Sequence, residues 1–467
     1  MKEDKEEIEN KSKENQNDEK KNKKHTSASY IVQTKIEEQI SSYFKLFNFD
    51  TKNSEICDIN LEIFLENHIN FLNMHKSKLP GGYSSLDSGM PWFAYWFLNI
   101  FDLFSMQKFE MSLEYKRQFI SYLKSFLNPT GGFSGYSKGY SHLISSYAAV
   151  LAIVCLDCTE AYEIIDREKM KNYLKSMKFK KDNLDTFYDY SNTFLIKKNE
   201  KISSYEAQHY GSFQVHHNGE SDLRSTYCAL VIAYVLNILD EELIEGIAEN
   251  IKNSQTYEGG LGPEPFSEAH GGYNFCGIAS LLILGKLDII NINKQIRWLV
   301  NRQLSIEGGF QGRTNKLVDA CYSTWQGAVF NMLLEHDPKK YTQDSELLYD
   351  QLSLQAYLLI ACQQETGGIL DKPGKSPDLF HLNYGGMGLA FSMKTTCKEH
   401  PNKEEVENKE KNNNIYSGYL NLNEDEMSLC LSYDDSMELA AMDPVFCVPK
   451  EKLIRAINYF YSLKPIK

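Results

Sequence analysis

Apolar residues recur at helical spacing from Ser29 onward, beginning with Ile31, Ile36, Ile40 and Tyr43, and that period predicts α-helix. From Leu61 the helical pattern continues almost everywhere, and strict alternation never lasts long enough to predict a strand. Glycine pairs interrupt it at Gly131-Gly132, Gly259-Gly260, Gly308-Gly309 and Gly367-Gly368, with Gly211-Ser212 as a weaker member. The step is 48 residues from 211 to 259 and 49 from 259 to 308, against 59 from 308 to 367 and 80 from 131 to 211. A polar, tyrosine-rich insert at 180–210 accounts for the longest step. Each unit reads helix, glycine turn, short loop, helix, as in EGGLGPEPFSEAHGGYNFCGIASLLIL. Repeats of that size and form predict stacked helix pairs.

Residues 1–28 mix Lys, Glu and Asn with almost nothing apolar, which predicts a disordered charged tail. Residues 29–467 are expected to form one all-α domain with inserts near 180–210 and 395–440, re-entering order at Met442 and ending in a helix over Glu451–Leu463. The net charge of −13 argues against general nucleic-acid binding but leaves room for a local cationic patch. Ten cysteines, mostly in apolar runs such as those around Cys228, Cys276 and Cys362, fit a reduced, cytoplasmic protein. The pair Cys155 and Cys158 lies on an apolar run and reads as structural. No run approaches the roughly 20 apolar residues of a membrane span, and the N-terminus lacks a signal-peptide core. The final KPIK has no cysteine to carry a lipid.

The chemistry concentrates in Glu307–Trp325, EGGFQGRTNKLVDACYSTW. Asp319 and Cys321 stand two apart at an expected loop-to-helix junction, and His381 follows in the next repeat just ahead of an apolar helix over Tyr384–Phe391. Equivalent ends of adjacent repeats are neighbours, so the three can meet. Asp, Cys and His make a three-ligand set suited to zinc with a fourth position open. His381 taken alone would read as an ordinary hydrogen-bonded histidine. His270, Arg313, Lys316 and Tyr322 fall in the same loop layer and suit a diphosphate, with solvated loop charges as the plain alternative. Lys372 and Lys375 extend that patch, and Asp371 is placed to hold magnesium. Trp92, Trp96, Tyr227, Tyr273, Trp325 and Tyr384 begin or sit early in apolar helices, where they form either plain core or the wall of an apolar cavity.

The blocks PWFAYWF, DLRSTYCAL, EAHGGYNFCGIASLLIL, GGFQGRTNKLVDACYSTWQ and LDKPGKSPDLFH occur in order within Leu79–Leu463. Together they resemble the protein prenyltransferase β-subunit family, the farnesyltransferase branch most closely. The resemblance implies an α/α toroid, an α-α barrel of about six helical hairpins around a funnel-shaped cavity. It also implies an obligate α subunit, a farnesyl diphosphate donor and transfer to the cysteine of a C-terminal CaaX motif in proteins such as small GTPases. Carried over by position, Asp319, Cys321 and His381 become the zinc ligands, with one Zn2+ per chain. His270, Arg313, Lys316 and Tyr322 become the diphosphate grip, and Asp371 the magnesium-associated acid. Arg224, Tyr227, Tyr273, Cys276 and Trp325 become the isoprenoid wall, bordered by Trp92 and Trp96.

Within the resemblance, bulky Trp92 and Tyr384 at the pocket floor, Asp371, and the wording NKLVDACYS favour a 15-carbon donor over the 20-carbon donor of the type I geranylgeranyl enzyme. Ile144, Ser145, Val215 and Phe380 depart from the family pattern near the peptide and metal. A triterpene-cyclase-like barrel would need an acid cluster such as D-x-D-D, which is absent; DDSME at 434–438 resembles a diphosphate motif only superficially. A non-catalytic helical scaffold is the remaining alternative.

Overall fold

A computed structural model describes residues 27–52, 61–77, 79–105, 111–179, 208–337, 348–396, 431–433 and 439–466. The expected tail, most of the 180–210 insert, the bulk of the 395–440 insert and DDSME lie outside the described residues. Helix α1, Ala28–Leu46, lies apart from the repeats and packs on their outer layer. Six pairs then follow among the described residues, each an outer helix and an inner one. They are α2 (Leu65–Ser77) with α3 (Met90–Ser105), α4 (Leu113–Lys124) with α5 (Leu143–Leu156), and α6 (Arg167–Met177) with α7 (Leu223–Val235). The series continues with α8 (Ile247–Asn253) and α9 (Gly271–Ile283), then α10 (Ile292–Val300) and α11 (Gly327–His336), the latter preceded by a short turn, Tyr322–Trp325. Last come α12 (Gln351–Ala356), which continues into a π-helical turn at Tyr357–Cys362, and α13 (Leu379–Ser392).

The inner helices pack side by side in a ring, and α13 closes onto α3. Asn99 Nδ2 donates to Asn383 Oδ1 at 2.9 Å across that seam, and the Trp96 and Phe380 rings meet edge to face at 5.7 Å. An inner helix has protein on every side, which explains sequences such as LISSYAAVLAIVCL in α5, buried at all positions but Ile144. Outer helices are striped instead: α10 buries Gln295, Trp298 and Leu299 and turns Lys294 to solvent. This is the α/α toroid expected.

The glycine pairs make the stacking possible. Gly259 (φ 112°) and Gly308 (φ 73°) need the left-handed backbone. A Cβ on either would collide with a carbonyl oxygen in the first turn of the next outer helix, that of Lys294 or Ser353. Gly367 lies the same way against the Asn67 carbonyl of α2, so the last turn returns to the first pair and the ring closes. Isolated antiparallel bridges flank these turns, such as Gln255 with Leu261, Gln303 with Phe310 and Gln363 with Ile369. The helical period gave no sign of them. A three-residue ladder, Lys394–Thr396 with Leu431–Tyr433, brings the ends of the second insert together, where a loop was expected.

The segment Met442–Val448 is buried and stops one end of the barrel. Tyr95 Oη donates to the Cys447 carbonyl at 2.6 Å and Tyr227 Oη to that of Val445 at 2.6 Å. Helix α14, Lys450–Ser462, lies over this end, one residue earlier at each terminus than expected. Lys452 Nζ reaches Asp102 at 2.7 Å and the Cys155 carbonyl at 2.6 Å, and Arg455 pairs with Asp157 at 2.8 Å.

At the closing seam, His68 is fully buried: Nε2 donates to Gln363 Oε1 and Nδ1 accepts from Gly368 N–H, both at 3.0 Å. Burial pushes its pKa down to about 4, against a smaller upward pull from Gln363. Above pH 6.5 the imidazole is neutral in both folded and unfolded chains. Between 6.5 and about 4 only the unfolded chain takes up the proton, so stability falls with pH by roughly 3 kcal/mol in total. Urea unfolding across that range is expected to show this decline, and His68→Gln to remove most of it.

Candidate active site

On the rim opposite the plug, inner helices α7, α9 and α13 are capped by polar side chains. Asp222 caps α7 by accepting from Arg224 N–H at 2.8 Å and Ser225 N–H at 3.4 Å. His270 caps α9, its Nδ1 accepting from Gly272 N–H at 3.1 Å. Asp378 caps α13, its Oδ1 accepting from His381 N–H at 2.8 Å. These caps satisfy otherwise orphaned N–H groups and so appear where the chain enters each helix. The Asp378 cap starts α13 at Leu379, so His381 stands inside the first turn rather than ahead of the helix.

Asp319, Cys321 and His381 converge, one ligand atom of each lying within 4.8 Å of the others. His381 Nε2 is 3.4 Å from Asp319 Oδ1, which also accepts from Cys321 N–H at 2.8 Å. The two repeats are laced together between them, because Ala320 N–H donates to the Asp371 carbonyl at 2.8 Å. His381 Nδ1 lies 2.7 Å from Asp378 Oδ2, which holds the proton on that nitrogen and turns Nε2 toward the cluster. Burial opposes charge on His381, yet Asp319 and Asp378 raise its pKa to about 9. Burial likewise opposes ionisation of Asp319, and the His381 contact overrides it, holding the carboxyl well below the usual range. Burial, then Asp319, push the Cys321 thiol upward. An anionic oxygen, a buried sulfur and an oriented imidazole nitrogen fit a divalent ion of zinc type.

Next to this cluster, His270 Nε2 lies 3.0 Å from the Tyr322 hydroxyl. Burial, then the Arg313 charge, lower the His270 pKa, so its ring is neutral. Because Nδ1 accepts from Gly272, the proton sits on Nε2 and is donated to Tyr322. That leaves the tyrosine hydroxyl hydrogen free for a different acceptor. Arg313 Nη1 pairs with Glu268 at 2.6 Å on the exposed rim, and Lys316 is exposed beside it. Lys372, expected in this patch, is buried against the Asp371 carboxylate instead, while Lys375 is exposed.

Inside the ring lies a cavity of about 890 Å³. Of the expected wall, Trp92, Trp96, Arg224, Tyr227, Cys276, Trp325 and Tyr384 line it. Tyr273 does not; its ring packs between Arg224, 5.4 Å from the guanidinium, and His270, 5.4 Å between rings. Arg224 itself is forked onto Asp222, Nη2 to Oδ2 at 2.6 Å. Trp92 is wedged against Trp96 and Tyr147, and Trp325 lies 4.3 Å from Tyr384. Ile144 and Phe380 are in the lining, whereas Val215 is fully buried and outside it. Sequence reasoning missed Tyr83, Tyr147 and Asp378. Only Asp378 had left a signal, an N-cap residue three places before His381 in DLFH.

Residues 63–448 match the family model described as the prenyltransferase alpha-alpha toroid domain. The protein farnesyltransferase subunit beta of Schizosaccharomyces pombe is 36% identical over 328 residues, covering 70% of this chain and 77% of its own. The geranylgeranyl transferase type-1 subunit beta of Arabidopsis thaliana is 38% identical over 195 residues, 39% of this chain and 48% of its own. A solved Candida albicans protein geranylgeranyltransferase-I complexed with GGPP matches with a TM-score of 0.61 at 20% identity, over 86% of this chain and 100% of that one, a likeness of fold.

Asp378→Asn keeps a competent cap but withdraws the charge behind His381. Cobalt titration followed by visible absorbance is expected to show about tenfold weaker metal binding, the lower end for such outer partners, at unchanged thermal stability.

Proposed function

Because the chain belongs to the prenyltransferase α-α toroid family, we propose that this protein prenyltransferase is the catalytic β subunit of a farnesyltransferase. It moves a 15-carbon prenyl group from its diphosphate to the cysteine thiol of a C-terminal CaaX motif. One observation carries this reading: the first two turns of α13 bear both His381 of the ligand cluster and the cavity-lining Phe380 and Tyr384. A metal-held thiol and a greasy chain in the cavity would therefore meet at one point.

Asp319, Cys321 and His381 are the residues that would hold zinc, which supplies a position where a substrate thiol is bound as thiolate at neutral pH. The carbon–oxygen bond to diphosphate breaks as the carbon–sulfur bond forms, and the thiol proton is lost to solvent. Tyr322, with its hydroxyl hydrogen left free by His270, donates to the departing diphosphate, and Arg313 and Lys316 add positive charge there. Arg313 exchanges Glu268 for phosphate in doing so. Magnesium at Asp371 would have to displace Lys372 from that carboxylate. The aromatic walls exclude water from the reacting carbon.

Trp92 and Tyr384 support the shorter donor, since both rings occupy the cavity that a longer chain would need. The partner would be a prenyltransferase α subunit. Exposed Tyr136, Tyr140 and Phe266, on loops at the active rim, offer apolar surface for it. No helix among the described residues is long and apolar enough to cross a membrane.

The test is co-expression with the α subunit followed by competition between 15- and 20-carbon diphosphates on CaaX peptides. Preference for the shorter donor is expected, and a strong preference for the longer one would make this a geranylgeranyl enzyme. Trp92→Thr should shift the ratio toward the longer donor by tenfold or so, as a bulky pocket side chain is worth a few kcal/mol at most. One zinc per chain by metal analysis, lost in Cys321→Ala, is expected; a protein with no bound zinc is a scaffold rather than this enzyme.

A further inference from the structure

The turn that carries two of the three ligands is held from behind. Ala320 lies between Asp319 and Cys321, and its N–H donates to the Asp371 carbonyl at 2.8 Å. That same carbonyl accepts the Tyr357 hydroxyl at 2.9 Å, with Cys362 Sγ at 4.0 Å. Tyr357 is fully buried in the outer layer and opens the π-helical turn Tyr357–Cys362. Its ring rests on Gly309, where a Cβ would come within 2.6 Å of it. A continuous strut therefore runs from Gly309 through the tyrosine ring and hydroxyl to the Asp371 carbonyl, and on to the amide between the ligands.

The repeats provide an internal comparison. In two other pairs an aromatic ring of the next outer helix lies on the second glycine in the same way, Tyr173 on Gly132 and Trp298 on Gly260. Trp298 meets that packing need while its buried Nε1 has no hydrogen-bond partner among the described residues. Stacking on glycine thus requires a flat ring but no polar tip. Burying a hydroxyl costs free energy unless it is bonded. Tyr173 carries a buried hydroxyl as well as Tyr357, but of these three rings only Tyr357, in the repeat that bears the ligands, has its tip bonded to the site's own backbone. The π turn that sets its direction is a rare conformation, one found mostly where a function depends on it.

We infer that Tyr357 is a positioning residue of the metal centre, its hydroxyl fixing the Asp371 carbonyl and through it the spacing of Asp319 and Cys321. The inference rests on the reading of Asp319, Cys321 and His381 as a metal site. Asp371 takes part through its main chain, so this role is independent of any ion at its carboxylate. Tyr357 touches neither substrate nor metal.

The test compares Tyr357→Phe with Trp298→Phe in the full chain, purified as the complex used for the donor assay. Each variant keeps a ring on its glycine, and thermal unfolding reports any loss of packing. Metal affinity is read by competition with a chromogenic chelator, and ligand geometry by the visible bands of the cobalt-substituted protein. Tyr357→Phe is expected to bind zinc several-fold to about tenfold more weakly, toward the lower end for groups that orient ligands from behind, with altered cobalt bands. Trp298→Phe is expected to leave both readouts at the wild-type value whatever its effect on stability. Equal affinity and identical bands in Tyr357→Phe and wild type overturn the inference while leaving the metal site standing. An equal loss in Trp298→Phe overturns it too, by showing that metal binding follows general stability. A wild-type complex that binds no metal removes the metal reading and this inference together.

Discussion

Backbone packed directly on backbone is the contact from which this architecture follows. Outer helices α2, α6, α10 and α12 each press the first turn against the preceding repeat's glycine turn, at a separation that leaves no room for a Cβ. Side chains at that contact would hold neighbouring pairs apart by variable amounts. Glycine keeps that separation short, and the Gly367 turn meets α2 in the same way. A small repeat-to-repeat rotation would give an open solenoid; here it closes. His68 and the Asn99–Asn383 bond then seal a joint that the packing has already aligned.

Closure puts six helix entrances on one rim, and entrances need caps. Three of the capping side chains, Asp222, His270 and Asp378, also serve the site: one grips Arg224, one orients Tyr322, one orients His381. The same side chains that begin a helix cheaply thus also hold the candidate site in place. Opposite charges across the joint between repeats shift each other in useful directions, Asp319 toward the anion and His381 toward the cation, in a pocket where burial alone would do the reverse. A metal bound there would replace that mutual stabilisation by coordination to Asp319, Cys321 and His381.

The fold class was legible because inner helices are apolar on every face and the glycine pairs mark the period. The meeting of Asp319, Cys321 and His381 was legible because adjacent repeats place equivalent ends together. Other features rest on long-range packing and left no local trace. Nothing near Tyr273 distinguishes a residue that lines the cavity from one that stacks behind Arg224. Lys372 looks like any loop cation in LDKPGK, yet burial forces it onto its neighbour Asp371. The start of α13 was misplaced because period alone finds where a helix is apolar. The cap, which decides where it begins, is polar.

The stopper at Met442–Val448 gives the molecule an order of assembly. Tyr95 and Tyr227 find their acceptors on residues 352 and 218 positions further along the chain. Contacts of that span form slowly, since loop closure must precede them. During translation Trp92, Tyr147 and Tyr227 are synthesised well before the segment that stops the barrel. Because Met442–Val448 follows all six helix pairs in the sequence, the acceptors for Tyr95 and Tyr227 are the last part of the barrel to be synthesised.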